Sequence, residues 1–347
     1  MDYKAFVGID VSKLTLDVVI LFSKKQSFLH RQVENNEEGF TQILNWVEEK
    51  CGDRGEDILF CMEHTGVYGM PLTNFLARKE LNFSLQSPLH VKQSMGIRRG
   101  KSDKTDARML AKYAYLHKDE IELTGISPKI VLQIKNLLTY RERLIKAKVS
   151  LENSSGELAA YTEKDLHITV LKDSNKYIGH LKKSIDQMDH EILKAIKMAP
   201  DIKRTYDLVV SVPGIGLITA AHLIVITRCF TLFDDPRKCA CYCGIAPFEH
   251  SSGTSVRGKT RVSHIGNKKL KSLLGLGAQA AVCFDEELKS YFDRRIGEGK
   301  PKASVMNMIK NKLLTRVFAT IKRGTPYVKL RQAAIKEKKK IKNLDLA

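Results

Sequence analysis

The sequence predicts an α/β domain at its N-terminal end, followed by a mostly helical remainder. Three observations lead there. Three β-rich runs precede a helix–strand–helix alternation within roughly the first 115 residues. Apolar residues then recur every seven positions from Ile130 to Leu158. Beyond Pro200, the run from Leu208 to Ala221 reads as a helix, a tight turn around two glycines and a second helix.

The elements follow in order. Ala5–Ile9 and Leu14–Phe22 are β-rich runs, and Ser27–Val33 reads as a third strand. Glu37–Cys51 places Phe40, Ile43, Leu44 and Val47 at helical spacing. Ile58–Met62 is a short apolar strand, Met70–Lys79 a helix, Phe83–Leu85 a strand and Asp103–His117 a helix. Residues 1–120 are therefore expected to form a mixed sheet covered by helices. Ile130, Leu137, Leu144, Leu151 and Leu158 recur in heptads. Leu171, Ile178, Leu181, Ile185, Met188 and Ile192 follow a 3/4 alternation, with Ser174 as its polar exception. Tyr161–Ile168 between them reads as a reversal. Residues 121–200 thus predict an antiparallel helical hairpin or a coiled-coil dimerisation stalk, with a plain bundle as the alternative. Pro200 marks the next boundary, because proline disfavours helix continuation. Residues 201–335 form the third region, and 336–347 a Lys-rich tail.

Composition bounds the function. The chain has 347 residues, with 58 Lys+Arg against 39 Asp+Glu and a net charge of +19. That excess points to a polyanion, most simply nucleic acid; a merely basic protein is the plainer alternative. A hydrophobic content of 43% excludes a disordered basic tail protein. No apolar run approaches the ~20 residues of a membrane span, and MDYKAFVGID lacks a signal-peptide layout. Seven scattered cysteines fit a reducing cytosol better than a disulfide framework. The expectation is a cytoplasmic protein with no membrane partner.

Several residues can carry chemistry. Asp10 and Glu63 each end an apolar strand, where a carboxylate serves either a polar site or a turn. Gly66 lets the chain turn after Glu63, and His64 beside it reads as an ordinary polar contact. Asp103 and Asp106 stand three apart at a helix start, so both face one way. They could equally be an N-cap and an N3 residue that complement the helix dipole. Four carboxylates at element ends of one domain suit Mg²⁺ or Mn²⁺ and two-metal phosphoryl transfer. Arg98, Arg99, Lys101, Lys104 and Arg108 interleave with the last pair, as a grip on a nucleic-acid backbone requires. Val212-Pro-Gly-Ile-Gly, with Gly214 and Gly216, resembles a helix-hairpin-helix turn that holds phosphate through backbone N–H groups; a tight helical turn is the alternative. From His250 to Phe284 no acidic residue occurs, while Arg257, Lys259, Arg261, Lys268, Lys269 and Lys271 do. Its small residues read as a flexible phosphate-binding loop, within which a serine could be a nucleophile. Cys239, Cys241 and Cys243 lack zinc-ligand spacing and read as small helix residues.

Together these segments resemble a known family. Gly8-Ile-Asp-Val-Ser-Lys, Glu63-His-Thr-Gly and Lys101-Ser-Asp-Lys-Thr-Asp-Ala-Arg are similar to the DEDD motifs of insertion-sequence transposases related to the Piv DNA invertase. Val212-Pro-Gly-Ile-Gly, Tyr242-Cys-Gly-Ile-Ala-Pro and Ser252-Gly-Thr-Ser-Val-Arg-Gly resemble that family's second domain. The resemblance implies a RuvC-like (RNase H-like) N-terminal domain, a coiled-coil connection and a C-terminal transposase domain. It implies Asp10, Glu63, Asp103 and Asp106 as the metal-binding tetrad and Ser252 as the nucleophile, with Ser251 the adjacent fallback. It also implies donor and target DNA as partners, a structured guide (bridge) RNA, and a homo-oligomer that can supply Ser252 from another protomer.

The expected activity is therefore Mg²⁺-dependent DNA recombination through a covalent phosphoserine. The alternatives are a RuvC-like Holliday-junction nuclease and a Piv-type invertase without guide RNA. An actin-like ATPase and a purely architectural nucleic-acid-binding protein are further rivals.

Overall fold

The computed structural model describes residues 3–23, 27–52, 57–64, 66–96, 102–124, 129–161, 163–233, 235–252, 256–263 and 265–329. For residues 164–166, 249–252, 256, 257, 259 and 260 it describes the backbone alone. The chain divides into two units, Met1–Ile126 and Ser127–Ala347.

The first unit runs β1 (Ala5–Val11), β2 (Thr15–Phe22), β3 (Phe28–Glu34), α1 (Glu37–Cys51), β4 (Ile58–Glu63), α2 (Met70–Arg78), β5 (Phe83–Gln86), α3 (Pro88–Met95) and α4 (Asp103–Leu116). Its sheet has the order β3-β2-β1-β4-β5. β2 is antiparallel to β1 and β3, whereas β4 is parallel to β1 and β5 to β4. Only β2 opposes the rest, so the sheet is mixed, as the order of strands and helices in the sequence predicts. Alternation along the strands sorts the apolar residues onto two faces. Val7, Ile9, Val18, Ile20 and Phe60 pack with Phe40, Ile43 and Val47 of α1 and Leu72 and Leu76 of α2. Phe6, Val19, Leu59 and Cys61 pack with Leu110, Ala111 and Ala114 of α4.

Gly8 sets the spacing of the second face. A Cβ there would lie 2.1 Å from the Ala107 carbonyl oxygen and 2.3 Å from the Ala111 amide nitrogen. The α4 backbone thus rests directly on β1. Asn36 caps α1 by accepting from the Gly39 amide at 2.8 Å, and Gly52 ends it in the left-handed region. α3 has no counterpart in the sequence expectations. It is eight residues long and buries only Val91, too little for an apolar period to register.

The second unit runs α5 (Lys129–Tyr161), α6 (Lys164–Met198), α7 (Pro200–Val210), α8 (Leu217–Ile226), α9 (Pro236–Tyr242), β6 (Pro247–Ser252), β7 (Val256–Val262), α10 (Lys268–Phe284), α11 (Glu286–Gly297) and α12 (Lys302–Arg323). α5 and α6 form an antiparallel hairpin, the start of one packing on the end of the other. Arg141 Nη2 donates to Asp189 Oδ2 at 3.0 Å across it, and Arg141 Nε donates to Asp189 Oδ1. Ile178, Ile185 and Ile192 are buried along the expected seam of α6. At the base of α5 the buried residues are Val131, Ile134 and Leu138 rather than the heptad positions Ile130 and Leu137. The base also packs on α8, through Ala221 and Ile224, and this second neighbour rotates the buried face. Residues expected as a linker therefore share a core with α7 and α8. The reversal expected over Tyr161–Ile168 is shorter, since α6 already begins at Lys164.

His222 of α8 lies half-buried near Lys269 of α10 and Arg141 and Glu142 of α5. Burial first, and the Lys269 charge second, push its pKa down to about 4. The unfolded chain takes up this proton near the ordinary value, whereas the folded chain resists it until about pH 4. Its contribution to stability is therefore complete above the ordinary histidine pKa and is lost as pH falls toward 4.

Two outcomes follow. Gly8→Ala should destabilise the first unit by about 3 kcal/mol or more, because the neighbours that must move are backbone; urea unfolding measures it. Between pH 7 and pH 5 the His222 linkage should remove about 2 kcal/mol from the second unit. His222→Gln should flatten that dependence in urea midpoints.

Candidate active site

Strand register draws a polar row across the C-terminal end of β1. Gln32, Asp17 and Asp10 stand opposite one another on β3, β2 and β1. Ile9 pairs with Met62, so Glu63 continues the row onto β4, and it pairs with Gln86 of β5. All five positions alternate with the α1/α2 face and so belong to the face that α4 covers. α4 adds Asp103 and Asp106 in its first turn.

The capping arrangement leaves those two carboxylates available. Ser102, not Asp103, is the N-cap of α4, and Thr105 occupies N3. Ser102 Oγ accepts from the Thr105 amide at 3.3 Å, and the Ser102 amide donates to Thr105 Oγ1 at 3.1 Å. The alternative role of Asp103 and Asp106 as N-cap and N3 is therefore taken by a serine and a threonine. Asp103 is exposed, while Asp106, Asp10 and Glu63 are half-buried.

The four carboxylates act on one another. Asp10 has its pKa pushed up to about 6, first by burial, then by the charges of Asp106, Asp103 and Glu63, with a smaller effect from Asp17. The sequence-predicted tetrad is thus brought together electrostatically. Among the described residues no group of three or more His, Cys, Asp or Glu side chains is drawn into a shell able to hold an ion. The donor set nevertheless fits a hard divalent cation, since it is all carboxylate oxygen, and its gathered negative charge adds to the burial that raises Asp10.

Asp17 was not anticipated. It is 5% exposed and accepts from His30 Nε2 at 2.7 Å and Gln32 Nε2 at 2.9 Å. It is held beside Asp10, with its own charge satisfied from β3. The available signal is an acidic residue inside the apolar run Thr-Leu-Asp-Val-Val-Ile-Leu-Phe. Gln86 is similar: its Nε2 donates to Ser84 Oγ at 2.7 Å, and Tyr113 Oη donates to its Oε1 at 3.4 Å.

The other candidates fall as follows. Arg98, Arg99 and Lys101 lie outside the described residues. Lys104 is exposed, and the Arg108 guanidinium sits 4.0 Å above the Phe28 ring. Gly214 has φ +90°, and a Cβ there would lie 2.3 Å from the Gly277 carbonyl oxygen, so packing of the turn on α10 accounts for this glycine. Gly216 is the exposed N-cap position of α8. The expected flexible loop is largely a β-hairpin, because β-branched and alternating residues flank its tip. Ser252 pairs with Val256, and Ser251 with Arg257, at its closed end. Lys259 lies on β7, Arg261 is exposed there, and Lys268 and Lys269 begin α10. Cys239 and Cys243 are buried and Cys241 is exposed; a hydrogen bond from the Cys243 thiol to Cys239, together with burial, pushes that thiol's pKa up.

Comparison with known proteins gives the class. Residues 7–160 match a DEDD transposase model of the IS110 type, and residues 206–293 match the transposase IS116/IS110/IS902 family. Transposases of this type are DNA-cleaving and rejoining enzymes. The chain belongs to the IS110-type DEDD transposase family, which is related to Piv. Over 340 residues it is 28% identical to the pilin gene-inverting protein of Moraxella lacunata, covering 94% of this chain and 98% of that protein. Similarity to the transposase of insertion sequence element IS1111A of Coxiella burnetii is 25% over 219 residues, covering 56% of this chain and 58% of that protein. Among solved structures, Thermus-type RuvC ("T. thermophilus RuvC in complex with Holliday junction substrate") aligns at 14% identity and a TM-score of 0.27, over 35% of this chain and all of that one.

A carboxyl whose folded pKa is raised costs stability once it ionises. The metal-free chain should lose stability as pH rises from the ordinary aspartate value to about 6. Asp10→Asn should therefore raise metal-free stability at pH 7 by about 1–2 kcal/mol, after allowance for solvent contact. Thermal melts of both chains in EDTA check it.

Proposed function

We propose that the chain moves or inverts a DNA segment by serine-based transesterification. The observation that supports this most is the gathering of Asp10, Glu63, Asp103 and Asp106 at one end of one sheet face. Asp10, Glu63, Asp103 and Asp106 are the residues that would hold Mg²⁺ or Mn²⁺. When bound, such ions polarise the scissile phosphate and stabilise the leaving oxygen.

Ser252 is the nucleophile, with Ser251 beside it as the fallback. Its Oγ loses its proton and bonds to phosphorus, while the bond from phosphorus to a deoxyribose oxygen breaks and that oxygen takes up a proton. The phosphoserine keeps the energy of the phosphodiester, so a deoxyribose hydroxyl can displace the serine without ATP. Arg257, Lys259 and Arg261 around this hairpin offset the charge of the phosphate.

A structured guide RNA that pairs with donor and target DNA is the proposed source of sequence choice, since phosphate contacts by lysine and arginine carry none. Similarity to the gene-inverting proteins over nearly the whole chain favours a second version, inversion without a guide. The α5–α6 hairpin is the proposed coiled-coil dimerisation stalk; Tyr161, Ile168 and Tyr177 are exposed near its far end. No described helix is long and apolar enough to cross a membrane. The cytoplasm, on DNA, is the proposed place of action.

The deciding experiment denatures the protein during reaction with DNA carrying the element ends. Wild type with Mg²⁺ should give a protein–DNA adduct that Ser252→Ala lacks and EDTA abolishes, while Ser251→Ala retains it. An undiminished adduct in Ser252→Ala would sink the nucleophile assignment. Free ends with no adduct at all would favour the junction nuclease. Loss of joined product on RNase treatment separates guided action from unguided inversion.

A further inference from the structure

The helices α10 and α12 are strongly one-sided in charge. α10 carries three lysines, α12 four lysines and two arginines, and neither carries a carboxylate. They pack together through Leu274, Ala278, Ile309 and Leu313. That contact lays Lys310 of α12 against α10 at Gly275. A Cβ at Gly275 would meet Lys310 Cε at 3.5 Å and Nζ at 3.6 Å. Lys271 lies one helical turn before Gly275, on the same side of α10.

Two half-buried lysines thus share one place, and neither has a hydrogen-bond or ion-pair partner among the described residues. Burial and the neighbouring Lys271 charge press the Lys310 pKa down, the expected effect of an uncompensated pair of cations. Lys268, Lys269 and Lys271 all stand in the first turn of α10. A cation there opposes the helix dipole. Among the described residues, Lys269 alone of these has an acidic ion-pair neighbour, Glu142 at 3.8 Å. The free protein therefore carries a repulsive arrangement that a bound anion would relieve.

We infer that Lys271 and Lys310 form a clamp for a backbone phosphate of nucleic acid, beside the N-terminal turn of α10. The inference rests on the proposal that the chain acts on nucleic acid, and it places one contact of that partner. Ammonium groups bind phosphate as point charges, so the clamp positions the strand and reads no base. The same phosphodiester chemistry is offered by DNA and by RNA.

The test uses the full chain and two fluorescent probes of arbitrary sequence, a DNA duplex and an RNA hairpin. Anisotropy titrations are run over a series of KCl concentrations. Lys271→Gln and Lys310→Gln should each weaken binding several-fold, and each should make the slope of log affinity against log salt shallower by about one. Lys182→Gln, at an exposed position of α6, is the surface control. Thermal melts complete the set: loss of either lysine should leave the melting temperature unchanged or raised, because a repulsion is removed. A deficit with one probe only supports the clamp and identifies which nucleic acid it holds. Unchanged affinity and slope with both probes, or a deficit no larger than that of Lys182→Gln, overturns it. So does weakened binding accompanied by a lowered melting temperature. If wild type binds neither probe, the wider functional proposal falls and the clamp with it.

Discussion

The contact between Gly8 and the backbone of α4 is the constraint on which the first unit depends. Side chains usually hold a helix about 10 Å from a sheet. Here a missing Cβ lets the Ala107 carbonyl and Ala111 amide come to the strand itself. α4 also covers β2 and β4. Its first turn carries Asp103 and Asp106, and the strand beneath it carries Asp10 two residues after the glycine. Bringing those carboxylates together is thus a matter of packing before it is a matter of chemistry.

That closeness has an electrostatic consequence. Four carboxylates and Asp17 crowd one end of the sheet, and Asp10, the one burdened by the rest, resists ionisation. Local structure confines the burden. His30 and Gln32 satisfy Asp17 from its far side. The N-terminal turn of α4 presents the positive end of its dipole to Asp103 and Asp106. Ser102 and Thr105 cap the helix, so neither carboxylate is spent on that task. What remains is negative charge that a divalent cation or a proton can relieve, and the proposed chemistry uses the first.

The second unit shows the same logic with opposite sign. Gly214 and Gly277 let a turn touch α10, much as Gly8 lets α4 touch β1. The core around α10 and α12 is apolar and fully buried, so it tolerates lysines only at its margin. Acidic residues of this unit pair with arginines, Asp189 with Arg141, and Asp285 and Glu287 with Arg316 of α12. The uncompensated lysines are consequently left on the pair of helices that lacks carboxylates.

Much of the fold was legible from the sequence. β-rich and apolar runs marked the five strands of the first unit to within about two residues, whereas β6 and β7 were read as a loop. Glu37–Cys51 was legible from the helical spacing of Phe40, Ile43, Leu44 and Val47, and the structure gives it the same bounds. The carboxylates were visible as candidates because Asp10 and Glu63 end apolar strands and Asp103 and Asp106 stand three apart at a helix start, and the resemblance to a transposase family ordered them into one set. Asp17 stayed hidden, because an acidic residue within a strand has no meaning until cross-strand register sets it opposite Asp10 and Gln32. The sequence offered Asp103 as an alternative cap of α4, where the structure uses Ser102, since local sequence cannot tell which of several capping residues the backbone selects. The heptads of α5 named Ile130 and Leu137, whereas packing on α8 turned Val131, Ile134 and Leu138 inward. By itself, then, the sequence determined element type, charge and the carboxylate inventory, all of which are local or additive properties. Register, helix-to-sheet distance and the meeting of Lys271 with Lys310 were decided only by tertiary structure, because each depends on contacts between residues far apart in the chain.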